Sequence, residues 1–254
     1  MQTAVFEKEY EVRSYDTDPQ ARLGTGTLFS YLQDIAGLHA EKLHFGRNDL
    51  KTEKQFWVLS RMICRLTGMP AWNDVLKITT WPKGVEGVFA IRNFRISDNK
   101  NNLIGEASSS WIIVDMDTRR PLRPGTNLMA FKDNSPFAGF NCPVAARIPL
   151  EEDKPYRSPL KEVRYSDLDI NMHVNNARYL NWITDSYPME FLRKNVPAEI
   201  EVNYLSETTT GDDYYVTTEE KSNIFYHSVV KENGARVACR ARISWNPCDE
   251  NKLY

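Results

Sequence analysis

The stretch Asp167-Leu168-Asp169-Ile170-Asn171-Met172-His173-Val174-Asn175-Asn176 is where acid, amide and imidazole groups crowd together, directly ahead of an apolar helical pattern over residues 177–187. Asp169, Asn171 and His173 occupy alternate positions, so an extended segment points all three to one side. Leu168, Ile170, Met172 and Val174 then point to the other side, into a core. Asn175 or Asn176 is the expected N-cap of the helix that follows. A helix start presents unpaired N–H groups and partial positive charge, so the amides from Val174 to Asn176 are candidates to hold a developing oxyanion. Taken singly, these residues read as turn and cap chemistry. Taken as a run in phase that ends at a helix start, they read as a site.

Outward from this stretch, the chain repeats itself. Glu162-Val163-Arg164 echoes Glu11-Val12-Arg13, and the same offset carries Asp16 onto Asp167, Asp18 onto Asp169 and Asp34 onto Asp185. A helix follows in both copies. In the first it is predicted over residues 27–43, with Leu28, Leu32, Ile35 and Leu38 at three- and four-residue steps and Thr25 or Thr27 as cap. Ala36 and Gly37 are the small residues expected to admit close approach of other backbone. In the second copy Pro188 interrupts the helix, which resumes over 189–194. Strand-like runs come next in each copy: 56–66, 75–81, 88–96 and 104–114, then 200–204, 214–219, 223–231 and 235–245, with Glu232-Asn233-Gly234 as a hairpin turn. Self-similarity at this period predicts a duplicated domain in which each long helix packs on an antiparallel sheet.

Between the copies, residues 121–159 hold 7 of the 13 prolines. Proline removes a ladder donor and blocks helix interiors, so this is predicted to be a surface linker with at most a helical turn at 126–132. The expected division is therefore a first domain at 1–120, the linker at 121–159 and a second domain at 160–254. Asp169, Asn171 and His173 correspond to Asp18, Gln20 and Arg22, so the first copy has lost the amide–imidazole pair. One active copy is expected, the other supplying binding walls and half of the joint interface.

Composition narrows the classes. Over 254 residues, 41% hydrophobic content supports a sizeable folded core, and the strongest apolar run, Trp111-Ile112-Ile113-Val114, is far too short to cross a membrane. The opening Met1-Gln2-Thr3 does not begin a signal or transit peptide. Cys64, Cys142, Cys239 and Cys248 are widely spaced, which argues against a zinc site or disulfide framework and fits a reducing cytoplasm. A net charge of −2 gives no global attraction for nucleic acid.

The motif at 167–176, with Tyr179 and Trp182 behind it, Tyr204-Leu205-Ser206-Glu207 downstream and the duplicated layout, resembles the acyl-acyl-carrier-protein thioesterases. The resemblance covers nearly the whole chain. It implies an α+β double hotdog fold, two long helices each wrapped by antiparallel strands, the two sheets joined edge to edge. It also implies hydrolysis of fatty acyl-carrier-protein thioesters to free acid and carrier protein, ending fatty-acid synthesis. The partner is then acyl carrier protein with its phosphopantetheine-linked acyl chain, with no nucleic acid or membrane partner and with a homodimer left open. The resemblance assigns catalysis to Asp169, Asn171, His173 and Glu207. It places the acyl pocket mainly around the first helix, near Leu28 to Leu38. A cysteine proposed in the family just after the acid is Thr208 here, which tells against a Cys-His-Asn route and leaves a carboxylate one. A bacterial-type cytoplasmic enzyme is expected.

On this reading Asp169 or Glu207 is base or nucleophile, Asn171 orients water or thioester, and His173 polarises the carbonyl or assists the leaving thiolate. No metal or organic cofactor is needed. Two rivals stand beside it: an acyl-CoA thioesterase or hydratase on the same fold, and a non-catalytic acyl-thioester-binding module. Other features read as structure. His39, Glu41 and His44 lack a third well-spaced ligand for a metal, and His227 sits in a strand pattern. There is no Gly-x-Ser-x-Gly elbow, and Gly24-Thr25-Gly26 lacks the third glycine of a nucleotide loop. Arg119, Arg120, Arg123 and Lys132 read as a solvated basic face in preference to a carrier-docking site.

Overall fold

Runs of β-branched and aromatic residues punctuated by Asn, Asp and Gly turns form strands. In the structure, a computed structural model that describes residues 4–125, Leu128, 136–149 and 155–248, those strands join into one antiparallel sheet. The first half supplies β1 (Phe6–Glu11), α1 (Thr25–Lys42), α2 (Arg47–Thr52), β2 (Gln55–Leu66), β3 (Val75–Glu86), β4 (Phe89–Asp98), β5 (Leu103–Asp115) and β6 (Pro121–Leu122). The second supplies β7 (Tyr156–Arg157), β8 (Lys161–Glu162), α3 (Asn176–Thr184), α4 (Met189–Lys194), β9 (Asn195–Tyr204), β10 (Asp213–Lys221), β11 (Ile224–Lys231) and β12 (Arg236–Pro247). Strand order is β1-β3-β4-β5-β2-β9-β12-β11-β10-β7, with β6 beside β5 and β8 beside β10. The α+β architecture is the expected one. At the seam β2 pairs with β9, from Arg61 opposite Asn203 to Arg65 opposite Glu199. Arg65 Nε also donates to Glu199 Oε2 at 2.7 Å across it.

Helices α1 and α3 lie side by side and pack on the sheet. They run antiparallel, since Thr25 meets Thr184 (3.2 Å between hydroxyls) while Asn176 Nδ2 donates to Gln33 Oε1 at 3.1 Å. Leu28, Leu32 and Ile35 of α1 and Leu180 and Ile183 of α3 enter one core with Phe94, Ile200 and Val202 from the strands. Each such aliphatic side chain contributes about 1.5–3 kcal/mol on burial.

Several local expectations are corrected. The cap of α1 is Gly24, and Thr25 is already helical. Leu38 is 38% exposed, because the buried stripe continues 28, 32, 35 to His39 instead. Close approach happens at Gly26, not Gly37: a Cβ on Gly26 would lie 2.9 Å from the Ala177 carbonyl oxygen, whereas one on Gly37 would meet nothing within 4 Å. The short helix α2 was not foreseen, and α3 stops at Thr184 short of the predicted 187.

Residues 136–149 run across the outer face of the sheet. Phe137 and Phe140 pack on Trp81, and Cys142 and Ala145 cover Ile63. Ala146 and Ile148 N–H groups donate to Glu201 Oε1 (2.5 Å) and Asn203 Oδ1 (2.9 Å), which satisfies two buried polar side chains of β9. The helical turn predicted at 126–132 falls outside the described residues apart from Leu128. Among the described residues, no helix is long and apolar enough to cross a membrane.

Candidate active site

The motif is a tight turn, not the extended segment its alternation suggests. Leu168 bridges Val174, Asp169 N–H donates to the His173 carbonyl at 2.7 Å, and Met172 takes a left-handed φ of 62°. Ile170 and Met172 consequently stand 76% and 59% exposed instead of entering the core. Leu168 and Val174 alone reach it. The turn closes on Asp169, whose Oδ1 accepts the N–H groups of Asn171 (2.7 Å) and His173 (3.3 Å) while Oδ2 faces Asn171 Nδ2 at 3.4 Å. Asp169, Asn171 and His173 do come together, but through a carboxylate-closed loop.

The first copy builds the same loop from different side chains. Asp18 Oδ1 accepts the N–H groups of Gln20 (2.8 Å) and Arg22 (2.9 Å), and Ala21 has φ 56° where Met172 has 62°. Upstream, Arg13 N–H to Asp16 Oδ2 (3.0 Å) is matched by Arg164 N–H to Asp167 Oδ2 (2.9 Å). In place of the imidazole, the Arg22 guanidinium pairs with Asp18 and reaches the carbonyls of Leu192 (2.8 Å) and Asn195 (3.1 Å) at the end of α4.

After the turn, Asn175 caps α3 by accepting the Ala177 N–H at 2.9 Å. The expected oxyanion amides are mostly engaged. Val174 N–H donates to the Thr208 carbonyl and Asn175 N–H to the Asp167 carbonyl, both at 2.8 Å, so of the three only the Asn176 amide remains available among the described residues. The first of these bonds brings the 204–208 segment alongside the turn. Glu207 is thereby half exposed with Oε2 3.4 Å from His173 Nε2, and Thr208 next to it is fully buried. Lys231 Nζ holds the Glu207 carbonyl at 3.0 Å.

Two first-half residues meet this site. Arg47, the first residue of α2, donates to Asn171 Oδ1 at 3.2 Å. Arg119, in the turn after β5, lies 3.8 Å from Glu207 Oε1. The basic face read at Arg119 is thus engaged, in part, by the site, and Arg47 was missed. A six-residue helix has no apolar period to reveal it.

No cysteine stands in the motif or at the position after Glu207, which is Thr208, and Cys248 is half-buried after β12. Cys64, Cys142 and Cys239 are buried free thiols, and burial pushes the Cys142 thiol up to about 12. His39 is buried against Phe6 and Arg92, and no described group of three or more His, Cys, Asp or Glu side chains could hold a metal ion. His227 is buried between Tyr187 and Thr218, as a structural histidine should be. An open depression of about 580 Å³ between Leu160, Trp182 and Tyr214 contains none of the four proposed site residues.

Comparison with known proteins assigns the chain. The family model described as the acyl-ACP thioesterase N-terminal domain matches residues 3–130, and that of the C-terminal domain matches 151–247. An oleoyl-acyl carrier protein thioesterase of Coriandrum sativum chloroplasts is 28% identical over 255 residues, covering 93% of this chain and 69% of that one. A crystal structure of an acyl-ACP thioesterase from Bacteroides thetaiotaomicron superposes with a TM-score of 0.87 at 30% identity, covering 96% of this chain and 98% of that one. A 12:0-ACP thioesterase from Umbellularia californica shares the fold, with a TM-score of 0.83 at 20% identity over 98% of this chain and 99% of the other. With both domain models matched in order and a bacterial acyl-ACP thioesterase structure superposing over nearly all of both chains, the chain belongs to the acyl-ACP thioesterase family of thioester hydrolases.

Proposed function

We propose that the chain hydrolyses fatty acyl-carrier-protein thioesters to free fatty acid and carrier protein, ending fatty-acid synthesis, with Glu207, His173, Asn171 and Asp169 as its site. The observation that carries this is the meeting of Glu207 Oε2 and His173 Nε2 at 3.4 Å beside the Asp169 turn. Glu207 is the better base or nucleophile, because Asp169 spends Oδ1 on two N–H groups of its own turn and turns Oδ2 to the Asn171 side-chain amide. Asp18 does the same in the copy that lacks the imidazole, which supports a scaffolding role for Asp169.

In this scheme Glu207 takes a proton from water as that water attacks the thioester carbonyl and the thiolate leaves, or attacks the carbonyl directly, expelling the thiolate and forming an acyl–glutamyl anhydride that water then hydrolyses to free acid and regenerated Glu207. His173 polarises the carbonyl or delivers a proton to the departing thiolate, and Asn171 orients the reacting groups. The products are a carboxylic acid and the thiol of the carrier arm. The division into domains at 1–120 and 160–254 with a linker at 121–159 belongs to the same proposal. Support comes from the repeated turn, which gives each half its own copy, and from β2–β9 pairing as the seam. The free cysteines support a reducing, cytoplasmic setting.

The test is turnover of a long-chain acyl-ACP by Glu207→Gln, His173→Ala and Asn171→Ala, with circular dichroism to check folding. A positioned base is worth roughly 10²- to 10⁴-fold, and losses of that size are expected for the first two variants. Wild-type rates in folded Glu207→Gln would overturn its assignment.

A further inference from the structure

We infer that Arg47 and Arg119 are positioning residues for the reaction, by which the copy without the amide–imidazole pair holds the reacting groups of the other. This rests on the reading of Asn171, His173 and Glu207 given above. Arg47 NH2 donates to Asn171 Oδ1 at 3.2 Å while Asn171 Nδ2 faces Asp169 Oδ2 at 3.4 Å. Both ends of the carboxamide are then specified: only its oxygen accepts from a guanidinium, and only its nitrogen donates to a carboxylate. Arg119 acts on the other side. Its NH1 lies 3.8 Å from Glu207 Oε1, and His173 Nε2 lies 3.4 Å from Oε2, so the carboxylate sits between guanidinium and imidazole with one oxygen toward each.

Arg119 is presented from a well-bonded hairpin. Its N–H donates to the Asp115 carbonyl at 3.0 Å, Asp115 Oδ1 gathers the N–H groups of Asp117 and Thr118, and the guanidinium lies over the Phe56 ring at 5.4 Å. The other copy supplies a control built into the molecule. There the guanidinium of Arg22 stands in the turn itself and grips backbone carbonyls at the end of α4 of the opposite half. On the side that keeps His173, the guanidinium comes from α2 of the opposite half, and the imidazole position stays open for chemistry. Both turns are thus clamped across the two halves by an arginine, but only one clamp ends on side chains of the proposed site.

Arg119 and Glu207 are 61% and 49% exposed, and exposed pairs add little to folding stability, so the effect belongs in the rate. The experiment is steady-state kinetics of Arg47→Ala, Arg119→Ala and Arg119→Lys on an acyl-ACP and on the matching acyl-pantetheine, which lacks the carrier. Each alanine variant is expected to lower kcat about 10- to 100-fold on both substrates with KM nearly unchanged, as displaced reacting groups do. Arg119→Lys should recover part of the loss. The Arg119→Ala loss should vanish when added to Glu207→Gln, and the Arg47→Ala loss when added to Asn171→Ala. Losses confined to KM for the carrier substrate would overturn the inference in favour of carrier docking, and so would undiminished losses in the double variants. If Glu207→Gln and Asn171→Ala keep wild-type rates, the site reading itself fails and takes the inference with it. If those two are impaired while Arg47→Ala and Arg119→Ala match wild type, the inference alone fails.

Discussion

Asp169 and Glu207 are two carboxylates in one small region, and their surroundings differ in the way the proposed division of roles requires. Asp169 is tied to the amides of Asn171 and His173, whereas Glu207 is half exposed and faces the imidazole. The sequence spacing identifies Asp169, Asn171 and His173 as a group, but alternation implies a strand, and only the left-handed Met172 and the closing carboxylate make it a turn. Glu207 was legible through family resemblance alone, since a single acid in a polar connection carries no pattern of its own. With Thr208 in the position where a cysteine has been proposed, with Cys64, Cys142 and Cys239 buried and with Cys248 half-buried after β12, the carboxylate route proposed for Glu207 needs no thiolate. Treatment of the native protein with iodoacetamide is therefore expected to leave turnover intact. Time-dependent inactivation, protected by substrate, would contradict this.

At the scale of elements, long alternating or periodic runs were readable and close contacts were not. The eight strands predicted from 56–66 onward appear with ends shifted by up to five residues, the two-residue strands β6 and β7 inside the predicted linker and β8 just after it were not foreseen, and the Asn175 cap is one of the two foreseen. Which glycine of α1 faces its neighbour depends on where α3 packs, and nothing in a single helix encodes that. Gly26→Ala places a methyl against the Ala177 carbonyl oxygen at 2.9 Å and the Asn181 side chain, and should destabilise by about 1–3 kcal/mol as overpacking does. Gly37→Ala fills open space on an exposed helical turn and should stabilise by up to about 1 kcal/mol through helix propensity. Urea unfolding of the two variants checks both signs, and equal effects would contradict the helix–helix packing described for α1 and α3.

For the whole molecule, the duplication was the most legible feature, because the offset from Val12 to Val163 recurs in bonds as well as letters. One buried polar group, His227, makes stability depend on pH. His227 is enclosed by Tyr187 and Thr218, and burial lowers its pKa to about 3 from the ordinary 6.5. The unfolded chain therefore binds a proton that the folded one refuses between those values. Stability from this residue is complete above about pH 6.5 and is lost as pH falls toward 3, by up to ~1.4 kcal/mol per pH unit. Chemical unfolding at pH 7.5 and 5 should show that decline in the wild type and a shallower one in His227→Gln; equal slopes would contradict it.

The most direct measurement is steady-state hydrolysis of a panel of acyl-ACP substrates from short to long chains, beside the matching CoA esters, by wild type and Glu207→Gln. Release of free fatty acid with preference for the carrier-protein thioesters, lost roughly 10²- to 10⁴-fold in the variant, is the predicted result. Folded wild-type protein that binds acyl thioesters without turning over either kind, or a Glu207→Gln variant as fast as wild type, would contradict the account.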